Sequence, residues 1–428
     1  MIATILSAFR VREIRNKLLF TAAMLALYRL GTHIPAPSIS ASAINQIQKS
    51  SVGNNGILGL LNLFSGGALT RIAIFALGIM PYITASIILQ LLTVVVPSLE
   101  KLQKEGEVGQ ARITQYTRYL TVGLAFAQSI GYVFLFKSLE SQAGVTLIPH
   151  FNLGKVLLIV ISLTAGCVLL MWMGELITQR GIGNGISLLI FASIVARIPS
   201  GVQSWWNSPD QVFRVVMPFI ALGVVAAVVF VQEGQRRIPI QYAKRVIGRR
   251  MSGGGQTYLP LRVNMAGVIP VIFAASVMAI PPTIGQLVAK NATHGFAHGL
   301  AVFFNPGGWH YVLGESIFII LFTYFYTAVT FNPVDQADNL KKYGGFIPGV
   351  RPGRPTAEFL DRILARLTFP GALFLAAVAA LPTILIARLH SQFFFGGTSI
   401  LIVIGVALDT MKQLEAQLMM RNYEGFLK

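Results

Sequence analysis

From Ile72 to Val96 the chain runs for 25 residues without a charged side chain, broken only by Pro81. A helix of that length crosses the roughly 30 Å hydrocarbon core of a bilayer. Just before it lies a second apolar stretch, Gly56 to Thr70, reading G-I-L-G-L-L-N-L-F-S-G-G-A-L-T. As a helix its residues reach only about 22 Å, too short to span. A short apolar helix that cannot span must lie against protein, line a cavity or sit at the interface. The pair Gly66 and Gly67 weakens its end, and Arg71 marks where it stops.

The same pattern recurs along the chain. Hydrophobic residues make up 54% of the 428 and charged residues 12%, against about a quarter charged in soluble proteins. This composition predicts a polytopic helical membrane protein. Ten spans are predicted: 18–34, 72–96, 119–136, 156–174, 182–198, 215–231, 263–284, 312–331, 367–387 and 399–411. The fifth opens on G-I-G-N-G (Gly181 to Gly185), a poor helix start, and the tenth is short before Asp409. The first run lacks a small-residue cleavage signature and is followed by further spans, so it is not a secretion signal. One cysteine, Cys167, excludes a disulfide framework and a cysteine metal site.

Lysine and arginine are distributed unevenly about these spans. Of the 34, 25 fall on the side of both termini, in the N-terminal segment, the even-numbered loops (Arg180 among them) and the tail. Basic loops stay in the cytoplasm, which puts both termini there. Two such loops are long and strongly basic, 232–262 and 332–366. Each carries glycine or proline turns, such as Gly253-Gly254-Gly255 and Ile347-Pro348-Gly349-Val350-Arg351-Pro352-Gly353. Fixing topology or touching anionic lipid takes only a few charges per loop. Arg249-Arg250 and Arg351 therefore read as docking points for an acidic protein or RNA surface. An odd number of spans per half, with interrupted spans in each, suggests an inverted repeat. The halves are 1–199 with spans one to five, and 200–428 with spans six to ten.

Ion-driven transporters place carboxylates or histidines at mid-membrane. Here Arg29, Arg71, Glu175, Glu315 and Asp409 sit at span ends. Span centres offer only amides and hydroxyls such as Thr84, Gln90, Asn264 and Ser276, which serve helix–helix hydrogen bonding. No catalytic constellation, phosphate-binding loop or metal spacing stands out. His294 and His298 form only a loose pair, and Asn291-Ala292-Thr293 is a tripeptide common by chance. No cofactor is expected. A pore with an apolar constriction fits these facts, because such constrictions close by dewetting. Branched isoleucine is stiff enough to form one.

Several motifs then resemble one family. The run G-I-M-P-Y-I-T-A-S-I-I-L-Q-L-L (Gly78 to Leu92) looks like the second-span signature of the SecY family of protein-conducting channel subunits, in its bacterial branch. The stretches G-I-G-N-G-I-S-L-L-I-F (Gly181 to Phe191), L-P-L-R-V-N-M-A-G-V-I-P (Leu259 to Pro270), G-V-R-P-G-R-P-T (Gly349 to Thr356) and G-G-T-S-I-L-I-V (Gly396 to Val403) resemble others of its motifs, in the same order.

The resemblance implies an all-α fold: ten transmembrane helices in two inverted five-helix halves around a central pore. It implies a plug half-helix at about 57–70, carried by Ile57, Leu58, Leu60, Leu61, Leu63 and Phe64 and ended by Arg71. It implies a pore ring of Ile79, Ile83, Ile186, Ile190, Ile272 and Ile402, in which 79/83 and 186/190 share helix faces at i,i+4. Spans two and three would part from seven and eight as a lateral gate, with Gln90 and Thr84 on it. Lys244, Arg245, Arg249, Arg250, Arg351 and Tyr423 would form the docking surface for ribosomes and the SecA motor ATPase. Implied partners also include SecE and SecG subunits, signal-bearing preproteins, lipid and a second copy of the complex. The implied location is the bacterial cytoplasmic membrane. The glycine-rich Met251 to Thr257 and the tail ending soon after Tyr423 depart from the family pattern. The implied function is conduction of unfolded polypeptide across, or sideways into, the membrane, without enzymatic activity. Two alternatives are an alternating-access transporter of small solutes and a scaffold that recruits ribosomes. The absent mid-membrane carboxylates oppose the first, and the collar and plug oppose the second.

Overall fold

The computed structural model describes residues 9, 11–40, 43–44, 62, 65–143, 146–149, 151–207, 211–242, 245–247, 250–252, 256–288, 303, 308–389 and 397–426. Its contacts divide the chain into two compact units. One holds residues 1–207, 275–311 and 406–428; the other holds 208–274 and 312–405.

The first unit begins with α1 (Arg12–Gly31). It continues through α2 (Met80–Val95), α3 (Pro97–Lys104), α4 (Glu107–Ala143), α5 (Leu153–Arg180), α6 (Gly185–Val195) and α7 (Ile198–Trp206). The long uncharged run of the sequence is not one helix. Residues 65–79 form successive turns, and α2 starts only at Met80. Three features prevent helix here. Gly66, Gly67, Ile72 and Gly78 have positive φ. Ala36 N–H donates to Ile72 O at 2.8 Å and Ile74 N–H to Ile34 O at 3.0 Å. Pro35 and Ala73 bridge antiparallel. Ile72 holds φ +45° although β-branched. This is a strained conformation, imposed by near-complete burial. The 16 residues of α2 extend about 24 Å. At Pro97, which opens α3, the chain bends by 99°. Leu69, Ile72, Leu77, Val133, Phe136, Ile159, Leu163 and Cys167 pack as one core.

The second unit carries α8 (Gln211–Glu233), β1 (Gln235–Tyr242), β2 (Arg245–Ile247), β3 (Arg250–Ser252), β4 (Gln256–Arg262) and the start of α9 (Ile269–Val288). It continues with α10 (Trp309–Thr330), α11 (Pro333–Lys342), β5 (Gly345–Phe346), α12 (Arg354–Leu389) and the start of α13 (Gly397–Phe426). The long basic segment 232–262 folds as strands. β4, β1 and β5 form an antiparallel sheet in that order, with Ile238 opposite Leu259 and Gln241 opposite Phe346. From Arg237 on, the pattern R-I-P-I exposes Arg237 and Pro239 and buries Ile238 and Ile240, as a pleated strand requires; Arg236, at the start of the strand, is exposed as well.

All ten sequence-predicted spans overlap a helix. Among the described residues six helices are long and apolar enough to cross a membrane, or seven if the bent α2–α3 pair is one span. The chain is a multi-pass helical membrane protein.

Candidate functional site

Five of the six predicted collar isoleucines are buried: Ile79, Ile83, Ile190, Ile272 and Ile402 are each 5% exposed or less. Ile186 is half-buried. Ile79, Ile83, Ile186 and Ile190 belong to the first unit, Ile272 and Ile402 to the second. Ile79 sits at the N-cap of α2, just after Gly78 turns the chain with φ +59°.

The G-I-G-N-G start of α6 is well built rather than poor. Asn184 Oδ1 accepts from the N–H groups of Ile186 (3.1 Å) and Ser187 (3.3 Å), satisfying donors that a helix start otherwise leaves free. Gly183 takes φ +88°. Gly185 lies so close to α5 that a Cβ would fall 1.9 Å from Gly174 O. Thr178 Oγ1 accepts from Gly185 N–H at 2.9 Å, and Thr21 Oγ1 from Ile182 N–H at 3.2 Å. These contacts fix the face of α6 that carries Ile186 and Ile190.

On α2, Thr84 Oγ1 donates to Met80 O at 3.0 Å, a bond within its own helix. Gln90 Oε1 is buried without a hydrogen-bond partner among the described residues. Ser276 Oγ, on α9, lies 3.9 Å from Met80 Sδ, so α2 and α9 touch within the first unit.

Of the predicted plug, Ile57, Leu58, Leu60, Leu61, Leu63 and Phe64 lie outside the described residues. Asn62 and residues 65–71 are described: Asn62 is helical, and 65–71 form turns that bond back to it. Thr70 N–H donates to Asn62 Oδ1 at 3.4 Å and Gly67 N–H to Asn62 O at 3.0 Å. Arg71 Nη1 donates to His33 Nε2 at 2.6 Å. That leaves His33 Nδ1 as the donor to Arg29 O at 2.9 Å. Burial, and then the Arg29 charge, push the Arg71 guanidinium below its ordinary range. Tyr28 and Arg29 of α1 reach the turn at Ser65 and Gly66.

The two basic segments share one apolar core. Ile238 and Leu261 of the strands pack with Phe331, Ile347, Leu360, Ile363 and Leu364. Arg351 is exposed between Gly349 (φ +83°) and Gly353 (φ +99°), and its carbonyl accepts from Thr356 Oγ1 at 2.8 Å. Arg245 and Arg250 lie on the paired β2 and β3. Lys244 and Arg249 fall outside the described residues, and Tyr423 is on α13. Exposed Arg236 and Arg237 were not singled out as docking residues from sequence. Their signal was the strand alternation, read there as an irregular loop.

One ion pair was also missed. Arg118 of α4 grips Glu175 of α5 through Nε and Nη2, both at 2.7 Å. This is the two-pronged geometry that makes arginine–carboxylate pairs strong. Among the described residues no three His, Cys, Asp or Glu side chains gather as a metal site.

Comparison with known proteins is consistent along the whole chain. The family described as SecY matches residues 73–411. The protein translocase subunit SecY of Streptomyces galbus is 50% identical over 443 residues, covering all of both chains. The solved structure entitled "The structure of a protein conducting channel" superposes with TM-score 0.65 at 20% identity, covering 94% of this chain and 92% of that one. Sec61 in the canine ribosome-channel complex from the endoplasmic reticulum gives TM-score 0.62 at 18% identity, with the same coverage. A full-length match at this identity, on a shared channel fold, means that the chain belongs to the SecY family of protein translocase subunits.

Proposed function

We propose that this protein is the central channel subunit of a bacterial Sec translocon. It conducts unfolded preproteins across the cytoplasmic membrane and releases membrane segments sideways through a lateral gate. The observation that carries this reading is the identity of 50% across the entire length of a protein translocase subunit. Ten spans in two inverted halves, 1–199 and 200–428, put both termini on the cytoplasmic side. The basic loops support that orientation.

The six isoleucines form the constriction, in a pore that closes by excluding water. The segment 57–70 is the plug. Gln90 and Thr84 line the gate; Gln90 Oε1, buried with no hydrogen-bond partner among the described residues, supports this. The shared body of the two basic loops, with Arg351 at its exposed turn, supports docking of a SecA-type motor and of ribosomes. SecE and SecG subunits, and a second copy of the complex, complete the expected partners. No catalytic residue is assigned, because energy enters through the motor.

Reconstitution into liposomes with partner subunits tests this. A signal-bearing precursor should enter when SecA and ATP are added. Failure of import, with accumulation of a small solute instead, would overturn the channel reading.

A further inference from the structure

Helical Asn62 and the turn residues 65–70 are tied to one another. Asn62, Ser65, Gly67 and Thr70 bond one another, and Ser65 O also accepts from Ala68 N–H at 3.2 Å. Side chains from α1 nonetheless reach into it at two points. Arg29 Nη1 donates to Gly66 O at 2.7 Å. Tyr28 Oη lies 3.4 Å from Ser65 O and 2.5 Å from Ser193 Oγ of α6. Ser193 Oγ is in turn 2.8 Å from Leu189 O. Phe75, stacked on the Tyr28 ring at 6.0 Å between centroids, fixes the tyrosine in place. Gly31 leaves the room for Phe75, since a Cβ there would fall 2.0 Å from its ring.

Each hydroxyl has one proton, and the 2.5 Å Tyr28–Ser193 contact needs a hydrogen between its oxygens, which leaves two arrangements. In the first, Ser193 donates to Tyr28 and Tyr28 donates to Ser65 O. In the second, Tyr28 donates to Ser193 and Ser193 donates to Leu189 O. The second needs nothing from the turn. A buried hydroxyl left unpaired would penalise departure of the turn, and this pair removes that penalty.

We infer that Tyr28, Arg29 and Ser193 form a release latch for the turn at residues 65–70, in which the Tyr28 hydroxyl turns its hydrogen bond from the Ser65 carbonyl to Ser193 Oγ as the turn leaves, and back as it engages. The inference rests on the channel reading and adds positioning residues to it. Arg29 and Tyr28 hold the base of the plug, and Ser193 Oγ accepts the Tyr28 hydrogen bond once the base is free.

The two hydroxyls therefore have opposite effects on opening. Tyr28→Phe keeps the stacked ring but removes the donor to the turn, so release becomes easier. Ser193→Ala keeps that donor but leaves Tyr28 unpaired after release, so opening becomes harder. A role in packing alone would make both variants leakier. The experiment measures open probability without substrate, and after addition of a signal peptide, for the full chain with its partner subunits in planar bilayers. Tyr28→Phe should raise open probability about fivefold and Ser193→Ala lower it about fivefold, a factor worth ~1 kcal/mol, the usual value of one hydrogen bond. Ser193→Thr, which retains a hydroxyl, should restore the original value. Should Tyr28→Phe fail to assemble, Arg29→Gln tests the second anchor and should likewise raise open probability. Shifts of the same sign in the tyrosine and serine variants, or no shift, would overturn the latch. With Arg29→Gln in place of the tyrosine variant, an unchanged or lower open probability would do so. SecA-driven import by the unmodified protein is measured in parallel. Loss of that import would instead count against the channel reading itself.

Discussion

At the scale of single residues, small volumes and single polar atoms decide most. Gly185 cannot carry a side chain, because a Cβ would sit 1.9 Å from Gly174 O. Gly185→Ala should push α6 off α5 and destabilise the fold by ~1–3 kcal/mol, as overpacking does; thermal unfolding in detergent measures this. Ile402, with no exposed surface, is proposed for the constriction. Ile402→Asn wets an apolar collar and should raise resting single-channel current severalfold; an unchanged closed current would remove it from the collar. Both positions could be picked out in the sequence, the glycine within G-I-G-N-G and the isoleucine within G-G-T-S-I-L-I-V. What could not be read was why the glycine is needed, since Gly174 lies eleven residues earlier on another helix. The Arg118–Glu175 fork was equally hidden. Its partners are 57 residues apart, and in sequence each looked like a charge at a span end.

Among elements, hydropathy located helices well and their ends poorly. The run 72–96 looked like one span, broken only by Pro81, because apolar composition does not report φ. Positive φ at Ile72 and Gly78 and the bridge of Ala73 to Pro35 convert its first part into turns. The strands of 232–262 were missed for a related reason. Glycine and arginine content suggested an irregular loop, while the alternation that makes β1 a strand spans only a few residues. If the segment before this turn tract is the plug, deleting 57–70 should raise resting ion conductance while SecA-driven import persists. Conductance equal to that of the intact channel would reject the assignment.

For the molecule as a whole, the question is which surface meets the motor. The two basic segments stand as one body because Ile238, Leu261, Phe331 and Ile347 share a core. Arg351→Glu reverses a charge at an exposed glycine-flanked turn, far from that core's packing. It should lower SecA-dependent import about tenfold or more while leaving protein accumulation intact; import at the normal rate would exclude Arg351 from docking. The sequence by itself determined the multi-pass helical class, and each of its ten predicted spans overlaps a helix. Apolar length and sparse charge are local quantities that a bilayer reads directly. Its motifs also carried the family. Only the tertiary structure decided where α2 begins, that the two basic segments are one body, and that Tyr28 and Ser193 meet at the turn of residues 65–70. Those outcomes depend on contacts between residues tens to more than a hundred positions apart, which no local pattern of apolar and polar residues encodes.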